Sequence, residues 1–255
     1  MTYRTIRFEE SDGTGVCTFD RADVRNALNE EMVGEIRSLL HDVTAGGTCR
    51  SLIFEGAGSS FLAGADIAEL RDRRAADALR RINAALFREV EQIAIPTIAA
   101  VHGYALGGGL EFALACDLRV VADDAKLGQP EVALGIMPGA GATYRLPRIV
   151  GLGRAKELIF TGRMIGGAEA LAMGLANRVV PRESVLDEAR ALATMIAKNG
   201  ALAVRLAKTA LNHAHELSTD AGLALESVSQ AVLFDDDEKH ERMTRFLERK
   251  KEKES

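Results

Sequence analysis

A chain of 255 residues with 47% hydrophobic and 27% charged residues has the make-up of a globular protein and excludes fibrous and disordered classes. A formal net charge of −5 supplies no basic field to draw nucleic acid. Residues 1–10 lack the apolar centre of a secretory signal, no apolar run approaches the roughly 18–20 residues of a membrane span, and Cys17, Cys49 and Cys116 are too scattered for a disulfide framework; a cytoplasmic protein is expected.

Residues 3–9 and 15–19 read as strands around the turn-like Ser11-Asp12-Gly13. Residues 29–44 place Met32, Ile36, Leu39 and Leu40 on one helical face and stop at Gly46-Gly47. A strand over 50–55 leads into a small-residue loop at 56–64. A helix is expected over 75–93, ended by Pro96, and an apolar strand over 97–101 runs into Gly107-Gly108-Gly109. A buried helix at 110–116 and a strand at 118–122 follow. Helices are then expected at 153–161, 168–173 and 183–198, with three more beyond Ala201. Strands alternating with helices argue for an α/β class; the last sixty or so residues read as helix alone.

The segment GYALGGGLEFALAC (103–116) sets three glycines and one carboxylate, Glu111, at the start of an apolar helix. A strand ending in glycines that feed a helix N-terminus can receive an anion or a developing negative charge, because free N–H groups and the helix dipole converge there. The simpler alternative is a tight turn with Glu111 as a capping residue. Two further segments carry related signals. In FLAGADIAE (61–69), main-chain N–H groups emerge just before a short helix. In GQPEVALGIMPG (128–139), Glu131 follows Pro130 among apolar neighbours, surroundings that raise a carboxyl pKa and suit proton transfer. A helix-start glutamate after proline explains Glu131 equally well.

Other chemistries lose ground on spacing. The glycines match neither the dinucleotide fingerprint nor a phosphate loop, and no nucleophile elbow is present. The five histidines are dispersed, so no metal site is expected, and Cys116 reads as an inert core residue.

Taken together, FLAGADIAEL (61–70), residues 99–151 and TGRMIGGAEALAMGLANRVV (161–180), with RADVRNALN (21–29) and ERMTRFLERK (241–250), resemble the enoyl-CoA hydratase/isomerase family, the crotonases. The resemblance implies an α/β fold, a crotonase-like spiral of ββα units over 1–198. It also implies a C-terminal helical region (199–255) used in trimerisation, within a homotrimer or a homohexamer built as a dimer of trimers. It further implies an oxyanion hole from the N–H groups of Ala65 and Gly108. A coenzyme A site would involve Arg25, Ala63, Ala65, Asp66, Ile67, Ala68, Gly108 and Gly139. An acyl-CoA thioester would be the substrate, with no separate cofactor.

Hydratases of this family resemble one another in carrying two glutamates, and Glu111 and Glu131 stand at both positions. Adding water to a trans-2-enoyl thioester needs a water delivered to C3 and a proton to C2, which two carboxyl groups can manage together. Glu131 is expected to handle the C2 proton and Glu111 to orient and deprotonate the water. The alternative enzymes are a Δ3-Δ2 enoyl-CoA isomerase, a class that usually keeps one carboxylate, or another crotonase-fold acyl-CoA enzyme, such as a dehalogenase or dienoyl isomerase with aspartates around the pocket. A non-catalytic RNA-binding or scaffold role is the other rival, prompted by Arg71, Arg73, Arg74, Arg80, Arg81 and Arg88. Interleaved acids and the lack of an aromatic platform make it unlike a nucleic-acid surface.

Overall fold

The computed structural model describes residues 3–254, which divide into two compact units, one ending at Met195 and the other beginning at Ile196. The first unit is built on a six-stranded sheet: β1 (Ile6–Ser11), β2 (Thr14–Phe19), β3 (Ser51–Gly56), β4 (Thr97–Val101), β6 (Leu118–Ala122) and β9 (Arg178–Val180), in spatial order β1-β2-β3-β4-β6-β9. Only β1–β2 is antiparallel, closed through Asp12-Gly13; the remaining neighbours are parallel. Parallel strands are covered on both faces, so β3 and β4 consist almost wholly of buried residues instead of alternating.

A second, three-stranded sheet, β5 (Tyr104–Leu106), β7 (Lys126–Gly128) and β8 (Met164–Ile165), has the order β5-β7-β8. Its strands of three, three and two residues are too short to show a period-two pattern and leave no mark in the sequence.

Helix α1 (Glu30–Gly46) begins at Asn29, whose side chain accepts the Met32 N–H at 3.0 Å, and buries the expected face of Met32, Ile36, Leu39 and Leu40. The single helix expected over 75–93 is two: α3 (Ala75–Leu79) and α4 (Ile82–Gln92), separated at Arg81, which adopts φ 52°. No glycine or proline marks that break, so the pattern of apolar residues ran across it. Ahead of it lies α2 (Ile67–Asp72), and α5 (Gly108–Ala115) follows β5.

Five phenylalanines from the sheet, the loop after it and two helices meet at Phe112 of α5. Its ring lies 4.9–6.3 Å from those of Phe19, Phe54, Phe61 and Phe87, mostly edge to face. Each such pair contributes about 0.5–1.5 kcal/mol beyond burial. The cluster therefore anchors α5, and with it the residues on either side of Phe112.

Helices α6 (Ala142–Val150), α7 (Leu152–Thr161), α8 (Gly167–Ala172) and α9 (Val185–Ala197) complete the covering layers. The second unit carries α10 (Ala201–His213), α11 (Thr219–Phe234) and α12 (Asp237–Glu254), with Leu211, Val228, Phe234 and Phe246 more than 60% exposed. Among the described residues no helix is long and apolar enough to cross a membrane, and no cluster of side chains could hold a metal ion.

Candidate active site

The loop from β3 to α2 is held from beneath by Asn26, fully buried in a left-handed conformation (φ 59°). Its amide donates to the carbonyls of Ala57 (2.9 Å) and Ser60 (2.7 Å), and its oxygen accepts the Arg21 N–H at 2.9 Å. Further along, the Leu28 N–H donates to Gly64 O (2.8 Å) and the Asp66 N–H to Leu28 O (3.0 Å). That is a parallel bridge between Leu28 and Ala65, in which Ala65's own N–H points to the opposite side. Gly108 lies on that side: a Cβ built on it would stand 3.4 Å from Ala65 N. Gly108 is also the first residue of α5, where an N–H has no acceptor within its own helix. Two main-chain donors from distant parts of the chain therefore open on one space.

The three glycines have three different reasons. Gly107 takes φ 51°, ψ −121°, a conformation side chains disfavour, and a Cβ there would lie 3.1 Å from Oε1 of Glu131. Gly108 leaves open the space in front of Ala65 N. Gly109 packs so closely on Leu62 that a Cβ would overlap its carbonyl oxygen.

Both glutamates line the same cavity of about 510 Å³. Glu111 is 3% exposed, and its Oε1 accepts the N–H groups of Ala140 (2.8 Å) and Ala142 (3.0 Å). It therefore does not cap its own helix; α6 and the turn before it provide its donors. Burial pushes its carboxyl above the usual range, while those N–H groups and the charge of Arg145 pull it back. Glu131 sits in a 3-10 turn (Pro130–Leu134) and is partly exposed. Gln129 is wholly buried behind it, and the amide orientation that satisfies both groups places its nitrogen 2.9 and 3.1 Å from the two carboxylate oxygens. Burial, and then the nearby negative charge of Glu111, raise the Glu131 carboxyl to about 7, against its own N–H.

Of the residues expected from the sequence, Glu111, Glu131, Ala63, Ala65, Ile67, Gly108 and Gly139 line this cavity. Arg25, Asp66 and Ala68 are not among its walls. Asp66 caps α2 by accepting the Ala68 N–H (3.1 Å) and pairs with Arg21 (3.3 Å). Arg25 is exposed, its guanidinium over the Tyr104 ring at 5.4 Å. The other arginines divide: Arg71, Arg73, Arg80 and Arg88 pair with carboxylates, and Arg73, Arg74 and Arg81 border the cavity. Apolar wall comes from Leu70, Ile82, Leu134, Ile136 and Met137. Ile82 falls in the segment 75–88 from which the sequence led one to expect acyl-pocket side chains; the other four were missed, together with Asn26, Gln129 and the Arg145–Glu91 pair. A polar residue within an apolar stretch was the one available hint.

Known proteins resemble this chain in sequence and in fold. The profile of the enoyl-CoA hydratase/isomerase family matches residues 9–254. A crotonyl-CoA hydratase of Syntrophomonas wolfei is 41% identical over 254 residues, 98% of each chain. A short-chain-enoyl-CoA hydratase of Clostridium acetobutylicum is 38% identical, covering 98% of this chain and 97% of its own. The crystal structure of an enoyl-CoA hydratase from Bacillus anthracis superposes with a TM-score of 0.93 at 36% identity, over 96% of this chain and 97% of that one. On the fold and on the sequence alike, this chain is a member of the enoyl-CoA hydratase/isomerase family.

Proposed function

We propose that the protein is an enoyl-CoA hydratase, adding water reversibly across trans-2-enoyl-CoA to give 3-hydroxyacyl-CoA. The observation that carries this reading is the convergence of Glu111 and Glu131 on one cavity beside the N–H groups of Ala65 and Gly108. The names and similarity of the hydratase relatives support it.

The thioester oxygen accepts from Ala65 and Gly108 N–H, and polarisation draws electron density from C3 toward that oxygen. As water adds, negative charge collects there as an enolate, in line with the N-terminus of α5. Glu111 acts as the base toward water: burial raises its carboxyl, which strengthens it as a base, and the N–H groups of Ala140 and Ala142 with the charge of Arg145 check that rise. Glu131 delivers the proton to C2, since a carboxyl raised to about 7 is substantially protonated at neutral pH. One proton of the water passes to Glu111 and the other stays in the new C3 hydroxyl; a proton then moves from Glu111 to Glu131, which restores the pair. No separate cofactor enters these steps.

Substrates with short acyl chains fit the names of the relatives and the apolar walls at Leu70, Ile82 and Met137. The exposed apolar residues of α10–α12 support assembly as a homotrimer or a dimer of trimers. The three cysteines are free and buried, in keeping with a reducing cytoplasm.

The test is loss of the conjugated enoyl-thioester absorbance when crotonyl-CoA and longer homologues are added. Turnover at the short end supports the reading. A folded protein inert across the panel, or one that shifts the double bond of a 3-enoyl-CoA without gaining water, overturns it.

A further inference from the structure

The turn that feeds N–H groups to Glu111 is shaped by a second charged pair, away from the cavity. Arg145 of α6 is 3% exposed, yet it does not touch the Glu111 carboxylate directly. Its Nη1 donates to the carbonyl of Ala140 at 2.9 Å. Its Nε and Nη2 form a fork on the two oxygens of Glu91 in α4, at 3.1 and 3.0 Å. Arg88 adds a third bond to Glu91 at 2.8 Å. Burial opposes ionisation of Glu91, but the two arginines hold its carboxyl below the usual range.

The fit is close. Gly141 takes φ 128°, and a Cβ on it would collide with Nη1 of Arg145. The peptide between Ala140 and Gly141 is thus gripped on its carbonyl side by Arg145. The flanking N–H groups of Ala140 and Ala142 both face Oε1 of Glu111. One guanidinium sets the orientation of two donors.

We propose that Arg145, braced by Glu91, is a positioning residue for the reaction: it holds the turn at 139–142 in the one shape that aims two main-chain N–H groups at the water-activating carboxylate of Glu111. The proposal rests on the hydratase reading for its effect on turnover, and on geometry alone for its effect on Glu111. A buried, bidentate arginine pair is costly to maintain as mere packing. Its bond to the Ala140 carbonyl gives it a use that an apolar pair of the same volume could not supply. The charged groups facing Glu111 from the elements around α5 are Arg145 from α6, behind it Glu91 and Arg88 from α4, and Glu131 from the 3-10 turn. On β5, Tyr104 stands beneath Arg25.

Three variants decide the matter: Arg145→Met, Glu91→Gln, and the two combined, which leaves no unpaired charge and keeps the test alive if Arg145→Met alone does not fold. Each is assayed for kcat and KM on crotonyl-CoA. Each is also titrated by NMR with carboxyl-labelled glutamate, the Glu111 signal being assigned through Glu111→Gln. Arg145→Met is expected to lower kcat roughly 10–100-fold with KM changed less than about twofold. It also moves the Glu111 titration to higher pH, since both the charge and the aligned donors are lost. Glu91→Gln moves it the other way, because the Arg145 charge then acts uncompensated. The double variant regains thermal stability but not kcat.

Recovery of kcat together with stability in the double variant, or a Glu111 titration that moves the same way in both single variants or not at all, overturns the proposal. A parent enzyme without turnover overturns the reaction instead; the opposite movements of the Glu111 signal still decide the role of Arg145.

Discussion

The two carboxylates of the cavity have the same chemistry and opposite seats. Glu111 rides on a helix pinned by the Phe112 cluster and is gripped by rigid main-chain N–H groups. Glu131 stands on a short 3-10 turn, half open to solvent, with one side-chain amide behind it. Burial raises both carboxyls; main-chain donors and the charge of Arg145 restrain the rise in the first, while the first glutamate's charge adds to it in the second. On the proposed hydratase reading, the division into base and acid rests on where each residue sits, with no difference in side-chain type.

The largest expected effect comes from removing the proton donor. Glu131→Gln lowers kcat by about 10²–10⁴-fold while a non-reactive acyl-CoA analogue binds as before, measured by steady-state kinetics and calorimetry. Retention of near-parental turnover erases the contrast between the seats. Next, Gly108→Ala places a methyl in the space before Ala65 N with no backbone strain, since Gly108 lies outside the left-handed region. Loss of kcat of about 10²–10³-fold with unchanged thermal stability is expected.

A smaller effect sharpens the comparison through pH. In the hydration direction kcat/KM falls as pH rises through about 7, where Glu131 loses its proton. In Glu111→Gln the neighbouring charge is gone, so the Glu131 titration, followed by NMR, shifts to lower pH. The smallest effect is on stability. A carboxyl whose folded pKa lies above its unfolded value destabilises the native state at pH above the folded pKa and has no effect below the unfolded one. Glu131→Gln should therefore raise Tm at pH 8 by about 2–4 °C, solvent screening of the partly exposed group limiting the gain to about 1 kcal/mol, and leave Tm unchanged at pH 4.

Much of this site could be read from the chain. Strands over 97–101 and 118–122 match Thr97–Val101 and Leu118–Ala122, and the helix expected over 110–116 starts two residues earlier, as Gly108–Ala115, because apolar runs with clear ends leave few alternatives. Glu111 and Glu131 were visible as carboxylates in apolar surroundings. Several features were hidden for distinct reasons. The small sheet is made of strands too short for a pattern, and the break at Arg81 carries no glycine or proline. Arg145 and Glu91 are 54 residues apart, and each looks like an ordinary surface charge on an amphipathic helix. Only packing shows that they meet. Gln129 lies in the same motif as Glu131, but its contact with that carboxylate depends on the direction of the turn between them.

Gly109 resting on the Leu62 carbonyl, beside the bridge that joins Leu62 to Ala105, has a wider consequence. The spacing of the Ala65 and Gly108 N–H groups is set here by backbone against backbone and not by the side chains of the cavity wall. On the proposed reading, Leu70, Ile82 and Met137 can then be varied to admit a different acyl tail while the pair of N–H donors keeps its spacing. Diversification of substrate and preservation of chemistry are, in this architecture, mechanically separate tasks.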